Sequence, residues 1–154
     1  MFKIASRVAA VSAATVVLGL IPLAGTSYAA GCYGTACDNK GPKGTGCEDD
    51  AVGHGKVDNN GRVAELRWSN KCRAAWVRTT QQASPSWYSS YATIEKYDTH
   101  GRLVRSLSVD TPNKYGDSDW SNMLGGNDYS YRACVGFKKD SGAPYGVQCT
   151  NKWG

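Results

Sequence analysis

YSYRACVGF, residues 129–137, alternates between two kinds of side chain and indicates the fold class. Apolar side chains occupy the odd positions of this segment: Tyr129, Tyr131, Ala133, Val135 and Phe137. The even positions hold smaller or more polar residues, Cys134 among them. Because successive side chains of a strand point to opposite faces, a period of two predicts a β-strand with one buried face.

The same alternation recurs in residues 63–69, where Ala64, Leu66 and Trp68 share one face. The other face carries Glu65, which we expect to lie in water. Just before this strand stands Asp-Asn-Asn-Gly at 58–61. Asn and Gly tolerate the positive φ of tight hairpins, so residues 52–58 are the predicted partner strand.

Further strands are predicted at 74–79, 91–97, 103–109 and 145–150, with turns at 98–101 and 139–144. Beyond the N-terminal segment, no stretch has a convincing helical period. Short strands at regular spacing are typical of β-sandwiches and small barrels. The predicted fold is therefore all-β, a small disulfide-stapled antiparallel sandwich or barrel.

The N-terminal segment has the three parts of a secretory signal peptide. Lys3 and Arg7 precede an apolar run over 8–24, and Ser-Tyr-Ala at 27–29 supplies a small-x-small cleavage site. Gly and Pro interrupt the run, which disfavours a membrane anchor. We expect a signal peptide at 1–29 and a single secreted, extracellular domain at 30–154, without a membrane association after cleavage.

The six cysteines all lie in the expected mature domain: Cys32, Cys37, Cys47, Cys72, Cys134 and Cys149. An even number in an oxidising compartment predicts a disulfide framework, although six cysteines allow 15 pairings. Cys134 and Cys149 flank the last turn, but a bridge between them needs a β-bulge to bring them to one face. Zinc is disfavoured, because the C-x₄-C pair at 32–37 has no matching second pair.

The charge of the expected mature domain is mildly positive. Lys3 and Arg7 account for two of the 18 basic residues, so 16 remain against 13 acidic ones, a net charge of +3. The basic residues are scattered, Arg62 and Arg78 among them, and we expect them to be solvated. A nucleic-acid-binding domain concentrates such charge in one stripe, so no nucleic acid partner is indicated.

CYGTACDNKGPKGTGC at 32–47 and VAELRWSNKCRAAWVRT at 63–79 resemble the YjfA-like family of secreted bacterial proteins, a domain of unknown function. The shared pattern is C-Y-G-x-x-C, nine residues, C, then E-L-R-W-S and C-x-A-x-W. The resemblance implies secretion and an all-β disulfide fold. It implies no activity, because the family has no assigned catalytic or binding residues.

Candidate catalytic residues are few. His54 and His100 are expected in exposed loops, and neither accompanies a G-x-S-x-G elbow. Carboxylates for glycoside hydrolysis are available at Glu65, Glu95, Asp98 and Asp110, but nothing in the sequence singles out a pair. No phosphate-cradling loop or other cofactor motif is present.

Asp117, Asp119, Ser121 and Asp128 fall at positions 1, 3, 5 and 12 of a calcium-loop pattern. Asn122 replaces the glycine of the turn, and Asp128 replaces the bidentate glutamate. No helices are predicted beside the segment. A polar surface loop is therefore the favoured interpretation, and whether it binds calcium stays open.

The aromatic residues supply the functional hypothesis. Trp68 and Trp76 fall on strand faces and are expected in the core. A partly exposed binding patch is predicted in loops, formed by Trp87, Tyr88, Tyr91 and Trp120. The predicted function is a non-catalytic binding or interaction module for cell-wall glycan or an extracellular protein. The alternative is a small secreted hydrolase or a proteinase inhibitor, with a rigid loop at 82–91 or 139–146.

Overall fold

The computed structural model describes residues 31–83 and 89–154. The expected signal peptide at 1–29 and two residues of the predicted patch, Trp87 and Tyr88, lie outside the described residues. Two 3-10 helices, Gly34–Cys37 and Lys43–Thr45, precede nine strands. The strands are β1 (Val52–Asn59), β2 (Arg62–Ser69), β3 (Ala74–Gln81), β4 (Ser90–Tyr97), β5 (Leu103–Asp110), β6 (Ser118–Trp120), β7 (Leu124–Gly125), β8 (Ser130–Lys138) and β9 (Pro144–Cys149).

The strands form two antiparallel sheets. The first has the order β1-β2-β3-β6, with β7 also paired to β3, and the second has the order β5-β4-β8-β9. The sheets do not join into a closed barrel in the part of the chain that the structure describes. The all-β prediction is confirmed, and the sandwich alternative is the one observed. No helix among the described residues is long and apolar enough to cross a bilayer.

The alternating strands bury the faces that their sequences predict. Ala64, Leu66 and Trp68 of β2 face Tyr131, Ala133 and Val135 of β8 in one apolar cluster, together with residues of β3 and β4. The 58–61 turn is confirmed, with Asn60 at φ 54° and Gly61 at φ 76°. Positive φ at both central turn residues matches the twist of the flanking strands.

The expectation for the second face of β2 is wrong. Glu65 is only 7% exposed, because Arg67 and Arg78 cover its carboxylate. Arg78 Nη2 lies 2.5 Å from Glu65 Oε2, and Arg67 Nη1 lies 3.3 Å from Oε1. Arg62 is also buried rather than solvated, and its Nη1 donates to the carbonyl of Asn60. Glu65 is therefore buried on the outward face of β2, and Arg62 is buried on the face that it shares with Ala64.

The cysteines form three bridges: Cys32–Cys37, Cys47–Cys72 and Cys134–Cys149. No cysteine is free, and all six lie in the described part of the chain. Cys134 pairs directly with Cys149 in the β8–β9 register, which shifts between Val135 and Phe137. The extra residue stands on β9, where Gly146 has φ 58°. This bulge brings both cysteines to one face, as the sequence requires for that pairing.

Candidate functional site

The best candidate site is a cleft at one end of the sandwich, which we call the Trp153 cleft. It has a volume of about 390 Å³. Its walls come from the end of β2, the β2–β3 turn, the β7–β8 connection and the segment after β9. The lining residues are Trp68, Asn70, Arg73, Asn127, Tyr129, Trp153 and Gly154. Three aromatic rings and three polar side chains thus converge on one concave surface, as in many ligand sites.

Two indoles form the floor of the Trp153 cleft. Trp68 and Trp153 have ring centroids 5.0 Å apart, at an interplanar angle of 59°. The Trp68 Nε1–H donates to Asn70 Oδ1 at 3.0 Å, which leaves the Asn70 amide nitrogen available to a ligand. Trp153 is held by backbone bonds in both directions with Tyr131, at 2.7 and 2.8 Å. The floor is therefore fixed by main-chain pairing to β8.

His54 packs against the floor residue Trp153. The expectation that His54 lies in an exposed loop is therefore wrong. It lies in β1, where the pairing with β2 shifts register between Gly53 and Lys56. Its ring stacks on Trp153, with centroids 3.7 Å apart. Its Nε2 is buried and has no hydrogen-bond partner among the described residues. Burial lowers the pKa of His54, because the imidazolium form loses hydration there.

Tyr129 forms one wall and rests on a buried cation. Lys96 Nζ lies 3.9 Å from the Tyr129 ring centroid and donates to the carbonyl of Gly125. The carboxylate of Asp38 lies 3.8 Å from the same ammonium group. Burial lowers the pKa of Lys96, and Asp38 opposes that effect. The cation–π contact and the buried salt bridge together position the Tyr129 ring.

The rim combines a guanidinium, an amide and an exposed phenol. Tyr33 is 60% exposed, and its hydroxyl hydrogen-bonds with the side chains of Arg73 and Asn127. These hydrogen bonds, first that of Arg73, hold the pKa of Tyr33 below its ordinary value. Arg73 has φ 52°, a conformation that few non-glycine residues adopt. The β2–β3 turn thus directs Arg73 to the rim at some backbone cost.

A second cleft of about 370 Å³ shares Asn127 and Tyr129 with the Trp153 cleft. Its charged lining residues are Asp98 of the 98–101 turn, Asp128 of the β7–β8 connection and Lys152 of the segment after β9. Asp98 accepts hydrogen bonds from the backbone N–H groups of His100 and Arg102, both at 2.9 Å. Hydrogen bonds from Arg102 are the main cause that lowers the pKa of Asp98. Tyr129 therefore stands between two adjoining subsites.

The carboxylates considered for hydrolysis are already engaged. Glu95 pairs with Arg132 and accepts from Tyr97, and Asp110 pairs with Lys138. Glu65 is buried under two arginines, as described above. His100 is exposed in the 98–101 turn, as the sequence predicts.

The two described members of the predicted aromatic patch lie in different sheets. Tyr91 is a half-buried residue of β4, and burial raises its pKa. Trp120 belongs to β6 and lies under Lys43, whose Nζ is 3.5 Å from the ring centroid. Because Trp87 and Tyr88 are outside the described residues, the four-residue patch stays a prediction.

The calcium-like segment is partly a strand. Residues 118–120 form β6 and pair with β3. The Ser121 hydroxyl accepts from the backbone N–H of Val77 at 3.1 Å and donates to the carbonyl of Asn122. The segment thus joins the first sheet, rather than forming the surface loop that the sequence favours.

The sequence did not single out the residues of the Trp153 cleft. Trp68 was predicted in the core, and it is indeed 4% exposed, but its edge also lines the cleft. Tyr33, Tyr129 and Trp153 belong to separate segments with no common pattern. The only local sign was the short N-K-C-R turn at 70–73, in which Arg73 has a positive φ. Their convergence is a product of the sheet pairing.

A family profile described as "Protein of unknown function (DUF2690)" matches residues 35–135. The chain belongs to this family. The match extends from the first 3-10 helix to β8, so the DUF2690 region includes Trp68, Arg73 and Tyr129. Tyr33 lies two residues before the match, and Trp153 lies well after its end. The prediction of an uncharacterised domain family is thus confirmed, while the YjfA-like name stays a prediction.

Two further comparisons add little to the DUF2690 assignment. A search of the curated proteins finds no match. A crystal structure of an endonuclease/exonuclease/phosphatase from Beutenbergia cavernae DSM 12333 is similar over 59% of this chain and 24% of that chain. The identity is 11% and the TM-score 0.37. This DUF2690 chain thus spans about a quarter of that protein, and the likeness carries no argument about function.

Proposed function

We propose that this DUF2690 domain is a secreted, non-catalytic module that binds cell-wall glycan in the Trp153 cleft. The observation that carries the proposal is the convergence of Trp68, Tyr129 and Trp153 with Asn70, Arg73 and Asn127 around one concave surface. Sugar rings have apolar C–H faces that stack on aromatic rings. Their hydroxyl groups accept from guanidinium and amide N–H groups, which the other three residues supply.

The engaged carboxylates favour binding over hydrolysis. Glycoside hydrolysis needs a pair of carboxyl groups, one with a raised pKa to act as the general acid. Asp98, which lines the second cleft, has a lowered pKa and is held by Arg102. A lowered pKa keeps this carboxylate charged, so it does not hold the proton that a general acid must donate.

Secretion is the second part of the proposal. The signal peptide at 1–29 and the three bridges of the mature domain both suit an oxidising extracellular compartment. The resemblance to the YjfA-like family likewise leads us to expect a secreted bacterial protein. The protein recovered from culture medium should begin at residue 30 or 31, as its intact mass will show. Recovery only from membranes, with lipid on Cys32, would contradict this part.

Binding to purified peptidoglycan tests the site. Tyr33→Ala and Tyr129→Ala should each weaken binding at least tenfold, about 1.4 kcal/mol, because each removes stacking area or a rim hydroxyl. Tyr115→Ala is the matched control, since Tyr115 is 68% exposed and outside the cleft, while Tyr33 is 60% exposed. The control should bind like the wild type.

Three results would count against the proposal. Binding by Tyr33→Ala and Tyr129→Ala that equals binding by Tyr115→Ala would remove the Trp153 cleft from the interaction. Release of soluble sugars from peptidoglycan would favour the hydrolase alternative. Absence of glycan binding together with inhibition of a secreted proteinase would favour the inhibitor alternative. Its described candidate loop is 139–146, which comprises the β8–β9 turn and the start of β9.

A further inference from the structure

Two of the three bridges share one buried site, which we call the four-sulfur cluster. The sulfur atoms of Cys32, Cys37, Cys47 and Cys72 all lie within 4.8 Å of one another. The four residues are buried, with Cys32 the most exposed at 8%. Cys32 Sγ and Cys47 Sγ belong to different bridges and lie 3.9 Å apart. The Cys134–Cys149 bridge joins β8 and β9 and does not belong to this group.

These spacings suit a tetrahedral metal ion. Zinc binds four cysteine sulfurs at about 2.3 Å each, so neighbouring sulfurs of a regular tetrahedron lie about 3.8 Å apart. Cys32 Sγ and Cys47 Sγ already have that separation. Cleavage of the two S–S bonds lets the sulfurs of each bridge part within the same buried space. Structural zinc sites are closed, four-coordinate and rich in such thiolates.

The segments that carry the four cysteines are also held by hydrogen bonds that do not involve sulfur. Gly34 N–H donates to the carbonyl of Cys72 at 2.7 Å, and Asn39 N–H donates to Met123 at 2.9 Å. Asp50 accepts from the Ser69 hydroxyl and from the Lys71 N–H. These bonds join the 31–51 segment to both ends of the β2–β3 turn and to the β6–β7 connection. The segments around the cluster are therefore joined by contacts other than the bridges.

One hydroxyl is placed to support a thiolate. Thr45 Oγ1 lies 3.0 Å from Cys47 Sγ and also 3.0 Å from the carbonyl oxygens of Gly41 and Pro42, so its one proton can be donated to any of the three. Hydrogen bonds to metal-bound thiolates orient the ligands of a metal site. The sequence argues against zinc because the C-x₄-C pair at 32–37 has no matching second pair, and Cys47 and Cys72 are 25 residues apart. The fold removes that objection by bringing both beside Cys32 and Cys37.

We propose that the reduced domain binds one Zn²⁺ through Cys32, Cys37, Cys47 and Cys72. A dithiol or phosphine reductant supplies four electrons, and four protons are taken up, so that two disulfides become four thiols. Zn²⁺ then displaces four protons and binds four thiolates. The same cluster is thus closed either by two S–S bonds or by one metal ion.

The test uses the mature chain, reduced with a phosphine and titrated with zinc chloride without oxygen. We expect one zinc per chain. Alkylation of the four cluster cysteines should slow at least tenfold on zinc binding, whereas Cys134 and Cys149 should react at an unchanged rate. Co²⁺ in place of zinc should give the absorption of a tetrahedral tetrathiolate site. Cys134→Ser with Cys149→Ser should keep this behaviour, and Cys47→Ser should lose the four-thiolate spectrum.

Several outcomes overturn the proposal. Circular dichroism should show that the reduced, zinc-bound chain keeps its strand content. Loss of that content despite zinc would mean that the cluster forms only when its bridges are intact. Equal protection of all six cysteines, or of none, means that the four sulfurs do not act as one site. Equal zinc affinity in concentrated guanidinium means that the unfolded chain chelates the metal without the fold.

Discussion

The imidazole of His54 stacks on the indole of Trp153, with ring centroids 3.7 Å apart and planes inclined by 29°. This contact joins β1, an edge strand of the first sheet, to the segment that follows β9 of the second sheet. It depends on the register shift in β1 between Gly53 and Lys56. A bulge in an edge strand thus sets the floor of the Trp153 cleft.

The lowered pKa of His54 predicts a loss of stability in mild acid. In the unfolded chain the imidazole takes up a proton near its ordinary pKa of about 6.5, while the folded protein resists protonation. The unfolded state therefore binds more protons as the pH falls through about 6.5 towards the lower pKa of the folded state, so the free energy of unfolding decreases over that window. Urea unfolding at several pH values measures it.

His54→Gln should flatten the pH dependence of unfolding in that window, because the amide does not titrate. His100→Gln is the matched control, since His100 is exposed and is the other of the two histidines in the chain. An equal change in both variants, or in neither, would contradict the role assigned to His54.

Gly125 is predicted to tolerate no side chain. A Cβ at this position would lie 1.9 Å from the carbonyl oxygen of Gly34. Gly125→Ala should therefore lower the free energy of unfolding by at least ~1–3 kcal/mol, the usual cost of overpacking. Gly44→Ala is the control, because a Cβ at Gly44 meets nothing within 4 Å. Denaturant unfolding will show whether the two variants differ as expected.

The Cys134–Cys149 bridge should contribute measurably to stability. It joins residues 15 apart, and closing a loop of this length reduces the entropy of the unfolded chain by ~3 kcal/mol in free energy. The double variant Cys134→Ala with Cys149→Ala should lose about that much in guanidinium unfolding. A loss well under 1 kcal/mol would contradict the expectation that this bridge stabilises the fold by restricting the unfolded chain.

Trp87→Ala distinguishes the patch predicted from the sequence from the Trp153 cleft. If Trp87 lies on a binding surface, the change should leave the melting temperature nearly unchanged and weaken binding to peptidoglycan. If Trp87 is instead buried, the change should cost ~3–5 kcal/mol of stability, as for other deleted core aromatics. A large loss of stability would end the patch hypothesis, and unchanged binding would leave the Trp153 cleft as the candidate surface.

Much of the fold was predictable because strand signals are local. The alternation in residues 63–69 and 129–137 follows from the period of the extended chain, which places neighbouring side chains on opposite faces. The turn at Asn60 and Gly61 follows from the tolerance of these residues for positive φ. The even number of cysteines likewise predicted bridges without help from the structure.

The sequence alone determined the all-β class, the hairpins and the presence of a disulfide framework, since these depend on residues that are neighbours in the chain or on composition. Only the tertiary structure decided which cysteines share the four-sulfur cluster, why Glu65 is buried, and which aromatic rings form the Trp153 cleft. The physical reason is register. The pairing of distant strands, with one-residue shifts in β1 and β9, fixes which side chains meet, and no local pattern in the chain records those shifts.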